Sequence, residues 1–438
     1  MNPIRNALKS LATTTTNIVI AFIFFVITAK ISNPAFFGKV AIIQLLEVIT
    51  TVFLYFIPGG IITREISYLY AKKELNKYLV GKFLSLPFIS SVFLFFLLLF
   101  PNYVRLAIPY LFLYLLSVVL NSIMAGMDMF TEIAVMGILF SVFKWGLSIL
   151  AVVRHDIYLF IEIWILGGII SDSLGYFFLI KKIGLIYPVF DFSFLIKYFK
   201  EGLPLYLSSV ASFFSSQGDR ATTAYLLGSY DLGIYQFSAL VAGVPSMVLG
   251  ALSGVLLPTA SFYKALGADE RKMSSISFRL LSLVTLLSVI ISIPFAIIIV
   301  NKFFIDYESG IEALVLLLLA MTLPFPIKSL ANFIVASKKD LKPFLKLSIL
   351  NGGLTLFTSF LLIPELGIIG GAISQIIVSI VSSFFILFYA LKTSTFIVSR
   401  KEFALLLFIP LTGVYEIIIG SRLFLDLVLL LLIMLFFK

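Results

Sequence analysis

Two charged residues stand side by side in a segment that is otherwise apolar enough to cross a lipid bilayer. The stretch SSQGDRATTAYLLGSYDLGIY contains this pair, Asp219 and Arg220. A charge at the bilayer centre costs about 2.5–3.5 kcal/mol on insertion scales, so charges at this depth usually mark an ion or substrate path. Neighbouring helical residues point about 100° apart. We therefore predict that Arg220 faces a polar cavity, and that Asp219 moderates its charge or pairs with another helix as part of a gate.

Further polar residues in the predicted spans form two candidate sets. In the first set, Arg and Lys side chains could face a central cavity. Hydroxyl and amide side chains would line the same cavity. The predicted substrate-binding residues are Arg220, Lys144, Lys328, Asn17, Ser212 and Gln217. Acids at membrane depth can carry a coupling proton or cation, or open and close a gate. The predicted coupling or gating residues are Glu47, Asp219, Glu162 and Asp172, and Glu47 is the best candidate for the coupling site.

Each of these assignments has a structural alternative. Lys144 and Glu162 lie at similar predicted depths in neighbouring spans, so they can form a buried ion pair within the N-terminal half. Asp219 and Arg220 can instead extend toward the interface at the outer end of their helix. Ser and Thr side chains also mediate close helix packing. At this point both interpretations remain open.

Lys328 follows two prolines, Pro324 and Pro326, in the tenth predicted span. Proline removes a backbone donor and interrupts a helix. The carbonyls released by such a break must face protein or water, because lipid offers no donors. The sequence therefore predicts a broken helix next to Lys328.

No residue pattern predicts catalysis or a cofactor. The chain has no Cys and a single histidine, His155, which we interpret as a solvated loop residue. The phosphate-binding, zinc-protease and dinucleotide-binding motifs are all missing from the sequence. We therefore predict a protein that is not an enzyme and binds no cofactor or metal, driven by an ion gradient, the membrane potential or the cargo gradient.

The composition predicts an all-helical polytopic membrane protein. Of the 438 residues, 61% are hydrophobic and 12% are charged, against about 25% charged in soluble domains. Runs of about 20 apolar residues can each cross a bilayer, and about fourteen such spans can be placed along the chain. The last two form a tight hairpin around Gly420. The first apolar run carries no cleavage site, so it is interpreted as a span and not as a signal peptide.

The positive charge of +10 is explained by topology. If both termini are cytoplasmic, most of the 32 lysines and arginines fall in inside loops, as the positive-inside rule requires. We predict a multi-pass protein of the cell membrane with both termini in the cytoplasm. Its basic loops would attract anionic membrane lipids, and nucleic acid is not an expected partner.

The chain contains a candidate internal repeat. Segment 27–45 resembles segment 223–240, with Gly38 aligned to Gly233, 195 positions further on. Because six spans return the chain to the same side, the two copies have the same orientation, as in transporters built from parallel repeats. The predicted domains are a six-helix lobe over 1–190, a second six-helix lobe over 191–392 and an additional helix hairpin over 393–438.

Three stretches carry a resemblance to a known family. They are AKISNPAFFGKVAIIQLLEVITTVFLYFIPGGIITREIS (29–67), the QGDR, LLG and LGIYQFSALV run beginning at 217, and NGGLTLFTSFLLIPELGIIGGAISQII (351–377). The chain resembles the polysaccharide transporter group of the multidrug/oligosaccharidyl-lipid/polysaccharide (MOP) exporter superfamily, which contains the O-antigen and lipid-linked oligosaccharide flippases.

The resemblance implies a V-shaped pair of lobes that opens alternately to each side of the membrane. It also implies a cargo made of a saccharide on a polyprenyl phosphate or pyrophosphate carrier, moved from the inner to the outer leaflet. The phosphate would require the cationic path suggested above, and glycosyltransferases or a polymerase of the same pathway would be candidate protein partners.

Two other functions are kept as alternatives. The first is an ion-coupled exporter of drugs or other small molecules. Sodium- or proton-coupled relatives often use an acid in span one, and this span one has none. The lipid II flippases carry arginines within span one, whereas Arg5 and Lys9 lie only at its entrance. The second alternative is a membrane scaffold in a glycan-assembly complex.

Overall fold

The computed structural model confirms an all-helical membrane protein. Ten of its helical segments are long and apolar enough to cross a membrane. The structure describes residues 20–254, 269–337, 342–393, 395–399 and 401–406, and within them no strand occurs.

The chain separates into two compact units, Met1–Phe213 and Phe214–Lys438. The α-helices of the first unit are α1 (Ile20–Ile31), α2 (Pro34–Ile49), α3 (Gly59–Ala71), α4 (Lys77–Leu84), α5 (Leu86–Ser91), α6 (Asn102–Leu106), α7 (Ile108–Gly126), α8 (Phe130–Ser141), α9 (Ser148–Val153), α10 (Ile157–Ile183) and the larger part of α11 (Phe192–Leu226). The predicted domain bounds at 190 and 392 stay predictions.

The second unit continues from the end of α11. Its further helices are α12 (Ser229–Gly254), α13 (Glu270–Phe303), α14 (Ile311–Thr322), α15 (Phe325–Ser337), α16 (Lys342–Leu366) and α17 (Ile368–Lys392). Predicted span one is seen as α1, and predicted span seven lies within α11. Most of the predicted hairpin of spans thirteen and fourteen lies outside the described residues.

Several spans depart from regular α-helix. Helix α2 continues as a π-helix over Thr50–Leu54 and stops at Tyr55, and α3 begins after Pro58. A second π-helix, Val142–Leu147, joins α8 to α9. Span three ends in a 3-10 helix over Val92–Leu99. A π-helix leaves backbone groups without their usual partners, and such segments often occur at functional sites.

The predicted break next to Lys328 is confirmed. Helix α14 ends at Thr322 and α15 begins at Phe325, so the interruption falls at the predicted prolines. Another proline, Pro204, lies inside α11, which is 35 residues long.

One hydrogen bond from a side chain to the backbone recurs at the predicted repeat offset of 195 positions. The Thr28 hydroxyl donates to the Phe24 carbonyl at 2.8 Å in the first unit, and the Thr223 hydroxyl donates to the Asp219 carbonyl at 2.8 Å in the second. Both threonines are fully buried. A local hydrogen bond therefore recurs at two positions that the predicted repeat pairs, and the repeat itself stays a prediction.

Candidate functional site

A buried ion pair lies inside the first unit. Lys144 Nζ lies 2.8 and 2.6 Å from the two carboxylate oxygens of Glu47. The Tyr110 hydroxyl donates to Glu47 Oε2 at 2.6 Å. Lys144 is 6% exposed and Glu47 is 8% exposed, so bulk water screens the pair little. We call Glu47, Tyr110, Lys144 and Trp164 the Lys144 centre.

Aromatic rings surround the lysine. Lys144 Nζ lies between 4.7 and 5.9 Å from five ring centroids. These rings belong to Tyr110, Tyr114, Phe140, Trp145 and Trp164. Ring faces attract a cation, and the attraction grows when the cation is desolvated. The first unit therefore holds its lysine by a carboxylate and by ring faces together.

The backbone at this centre is unusual. Lys144 lies within the π-helix Val142–Leu147, and Glu47 lies one turn before the π-helix Thr50–Leu54. Trp164 Nε1 donates to the Lys144 carbonyl at 2.9 Å, with Ser148 Oγ a second acceptor at 3.0 Å. The indole thus satisfies a carbonyl in the π-helix and orients the residue that carries the charge.

Asp172 lies in α10 of the same unit and has no donor on either carboxylate oxygen. It is 4% exposed. The Ser117 side chain lies within interaction range, but it makes no hydrogen bond of normal geometry. Asn121, one turn along α7 from Ser117, also has a buried oxygen without a donor. Since Glu47 already neutralises Lys144, an ionised Asp172 would have no counter-charge among the described residues, which is costly in a buried position.

A different polar centre lies in the second unit. The Tyr235 hydroxyl donates to Asp219 Oδ2 at 2.5 Å, joining α12 to α11. Asp219 is 3% exposed and its other oxygen, Oδ1, has no donor, although Gln375 of α17 lies within interaction range. The tyrosine ring also contacts Gly371, where an added Cβ would lie 3.2 Å from it. This small residue lets α17 approach the centre.

The charge of Arg220 acts on Asp219, but its side chain forms its hydrogen bond elsewhere. Its Nη1 donates to Gln217 Oε1 at 3.0 Å, one helical turn earlier. Its Nε is buried without an acceptor, and no ion pair within 4 Å joins it to a carboxylate among the described residues. A guanidinium has five donors, so most of its capacity is unused. We call Asp219, Arg220, Gln217 and Tyr235 the Asp219 centre.

A set of hydroxyl groups connects α16 and α17 in the same unit. Ser374 Oγ lies 2.5 Å from Thr358 Oγ1 and accepts from Ser359 Oγ at 3.0 Å. One layer further on, Asn351 Nδ2 donates to Ser382 Oγ at 3.2 Å. These bonds join helices at membrane depth in the way that close helix packing requires.

The structure corrects one predicted pairing. The structural alternative of a Lys144–Glu162 pair is wrong, because Lys144 binds Glu47 and Glu162 is exposed. Glu162 lies on the exposed face of α10 with Leu166 and Ile169, whereas Asp172 lies on the buried face.

The other predicted site residues are distributed as follows. Arg220 and Gln217 contact each other, and Asp219 bonds to Tyr235 as a partner on another helix. Ser212 is exposed on α11, and Lys328 is half-buried in α15. Asn17 lies outside the described residues. The roles assigned to all of these residues stay predictions.

Sequence reasoning missed the aromatic members of both centres and the polar residues of α7 on the side of Asp172. Tyr110, Tyr114, Ser117 and Asn121 recur at spacings of four, three and four along α7, so they form one helical stripe. A stripe of polar residues at helical spacing within an apolar span was a usable signal. Nothing local in the sequence distinguishes Tyr235 from the other tyrosines.

Comparison with solved structures identifies the fold. The lipid II flippase MurJ in an inward closed conformation matches with a TM-score of 0.69 at 15% identity over 98% of both chains. An inward-facing multidrug resistance MATE family transporter matches with 0.60 at 13% identity, over 86% of this chain and 94% of that one. The Vibrio cholerae MATE transporter VcmN, in a mutant form, matches with 0.50 at 15% identity, over 88% and 98%. The fold is thus that of MOP superfamily transporters.

The family follows from the sequence itself. A family model described as polysaccharide biosynthesis protein matches residues 4–264, more than half of the chain. The protein belongs to this polysaccharide biosynthesis family. A search of curated proteins finds no match.

Proposed function

We propose that this protein is a flippase for a lipid-linked saccharide. The cargo would be an oligosaccharide or polysaccharide repeat unit on polyprenyl phosphate or pyrophosphate, moved from the inner to the outer leaflet of the cell membrane by alternating access. Both termini would be cytoplasmic. Glycosyltransferases or a polymerase of the same pathway are the candidate protein partners.

The observation that carries this proposal is the state of Arg220. Its guanidinium lies in a transmembrane helix with a buried, unused donor and no carboxylate partner among the described residues. A phosphate crossing a low-dielectric interior needs charge-assisted hydrogen bonds, and arginine can supply two in parallel. Family membership and fold support a saccharide-linked cargo, and Arg220 is the residue best prepared to bind its phosphate.

Lys144 and Lys328 have lesser roles in this proposal. Lys144 could bind phosphate only after it leaves Glu47, because its charge is already neutralised. Lys328 lies beside the break between α14 and α15 and forms no ion pair with a described residue. It could therefore receive the phosphate at another stage of transport.

Asp172 is the residue that we propose for energy coupling. A buried carboxylate without donors is stabilised by a proton or a bound cation, and exchanging that cation with the two sides of the membrane would drive a transport cycle. This observation moves the candidate coupling site from Glu47 to Asp172. It also favours the second candidate function, an ion-coupled exporter of small molecules.

The proposal is tested by the leaflet position of lipid-linked oligosaccharide in cells without this protein. Access of a lectin or glycosidase to the saccharide in sealed vesicles measures that position. We expect accumulation on the cytoplasmic face, which the wild-type protein reverses. Arg220→Ala should lower outer-leaflet delivery tenfold or more, since one lost charge-assisted bond is worth about 1.5–3 kcal/mol, whereas Arg220→Lys should retain part of it.

The matched control is Arg154→Ala, which removes an exposed loop arginine and should deliver cargo normally. Normal delivery by a folded Arg220→Ala protein would refute the cationic path. An unchanged leaflet position in cells without the protein would refute the flippase and favour the exporter. In that case, loss of ion-driven drug efflux in Asp172→Asn would be the next measurement.

A further inference from the structure

The segment between α10 and α11, residues 184–191, is fixed to the first unit. Val189 N donates to the Gly81 carbonyl at 2.9 Å, and the Tyr176 hydroxyl donates to the Ile186 carbonyl. Gly81 is required there, because an added Cβ would lie 2.3 Å from the Tyr187 carbonyl oxygen. We call this segment together with the first residue of α11, residues 184–192, the strap, since they cross the end of this unit in a defined backbone conformation.

The strap is firmly attached and still exposes large apolar side chains. Ile186 is buried at 1% exposure. By contrast, Tyr187 is 67% exposed, and Phe190 and Phe192 are 58% and 62% exposed. Leu185 is exposed as well. Tyrosine, which has a polar end, is enriched at the membrane–water interface, and Phe and Leu form the apolar face of segments that lie in that interface.

Two acidic side chains of this surface, Asp191 and Glu201, are neutralised by ion pairs within the first unit. Asp191 Oδ2 lies 2.7 Å from Lys82 Nζ, and Glu201 Oε1 lies 2.5 Å from Arg64 Nη2. The hydrogen bond from Lys82 holds the pKa of Asp191 well below its usual range. Asp191 also caps α11 by accepting from Phe194 N at 3.0 Å.

The lysines of the same surface have no such partners. They are exposed and form no ion pair among the described residues: Lys181, Lys182, Lys197 and Lys200. Asp191 and Glu201 are paired, and Glu65 beside Tyr198 is one further acid. The four lysines outnumber it, so the surface carries a net positive charge beside its exposed aromatic side chains.

The length of α11 places its beginning outside the hydrocarbon core. At 1.5 Å per residue, its 35 residues extend about 52 Å, whereas the core is about 30 Å thick. Pro204 marks the point at which the helix can change direction. The first turns, before Pro204, alternate buried Leu195 and Tyr198 with exposed Ile196 and Lys197. This is the pattern of a helix that lies in an interface.

We propose that the strap and the first turns of α11 form a docking surface for an anionic lipid leaflet. The aromatic side chains would enter the headgroup region, and the four lysines would attract acidic headgroups. The occupant is the bulk lipid and not the cargo, because the surface is broad, exposed and positive. This inference does not depend on which cargo the protein carries.

The absence of cysteine allows a specific test. Full-length Tyr187→Cys protein, labelled with bimane, is reconstituted in vesicles of phosphatidylcholine and phosphatidylglycerol without any lipid-linked saccharide. Quenching by doxyl-phosphatidylglycerol should exceed quenching by an equal fraction of doxyl-phosphatidylcholine by about twofold or more, and high salt should reduce the difference. Replacing the four lysines with glutamine should make the two quenchers equivalent.

The matched reporter is Tyr225→Cys, which lies at the other end of α11 and is 79% exposed. It should show no preference for the anionic quencher. Equal quenching at position 187 by both lipids would overturn the proposal, and so would a label at 187 that neither lipid quenches. Quenching that prefers the anionic lipid equally at 187 and 225 would show general enrichment and would also refute a local surface.

Discussion

The Lys144 centre and the Asp219 centre both bury charge in membrane-spanning helices, but they compensate it differently. In the first unit a lysine meets a carboxylate and aromatic rings, so the charges cancel within one site. In the second unit a carboxylate meets a neutral phenol, and the adjacent arginine forms no ion pair within 4 Å in the described part of the chain. The first arrangement leaves no net charge at the site, whereas in our proposal the second keeps a cation available for a ligand.

The predicted repeat sharpens this comparison. At the offset of 195 positions, Asp219 corresponds to Phe24 and Tyr235 corresponds to Val40. All four side chains are buried. The buried threonine bond one turn further along, at Thr28 and Thr223, is present in both units. At the positions that the predicted repeat pairs, the threonine bond is common to both units, while the Asp219–Tyr235 pair occurs only in the second.

The largest expected effect is the removal of the carboxylate from the Lys144 centre. Glu47→Gln would leave Lys144 buried without a counter-ion, which costs about 3–5 kcal/mol. Replacing both residues together, by Glu47→Leu and Lys144→Met, should recover most of that loss because no charge remains. Thermal unfolding in detergent measures both variants.

The control for this prediction is Glu162→Gln at an exposed position, which should change stability by no more than about 0.5 kcal/mol. If Glu47→Gln were as mild as the control, the buried pair would contribute nothing and the two centres would not differ as described.

A middle-sized effect is expected in the Asp219 centre. Tyr235→Phe removes the single donor to Asp219 Oδ2 and should destabilise the protein by about 1–2 kcal/mol. The loss is smaller than for Glu47→Gln because the carboxylate keeps Gln375 nearby. Unfolding in the same detergent checks it, with exposed Tyr225→Phe as the control. A loss as large as that of Glu47→Gln would remove the distinction between the centres.

The smallest effect tests what the two units share. Thr28→Val and Thr223→Val each remove a hydroxyl that bonds to its own helix. Bonds between helices average about 0.6 kcal/mol in a membrane protein, and a bond within one helix should contribute no more. We expect equal losses, within about 0.5 kcal/mol, in parallel unfolding measurements. Unequal losses would indicate that the repeat does not extend to this contact.

The fold was predictable from the sequence because composition and span length dominate a membrane protein. The break at Pro324 was also predictable, since proline acts through local backbone chemistry. The π-helices at Thr50–Leu54 and Val142–Leu147 were not, because they depend on donors from other helices, such as Trp164.

The candidate site was predictable in part. Asp219 and Arg220 stood out because they are charged, and their neighbouring positions required different faces. The pairing of Lys144 with Glu162 was wrong because depth in the membrane does not distinguish Glu47 from Glu162. The packed face of α10 does distinguish them. Its small residues Gly168 and Gly175 lie on that face, and Glu162 does not.

The 3-10 helix Val92–Leu99 changes the outline of span three. With three residues per turn, its side chains form three straight columns along the helix, so the segment is triangular in cross-section. One column, containing buried Leu94, packs into the unit, and the columns of Phe93 and Phe95 are exposed along their length. Its rise of about 2.0 Å per residue also spans about 4 Å more than eight α-helical residues would. This span therefore forms an outer edge of its unit, with two flat sides toward lipid acyl chains.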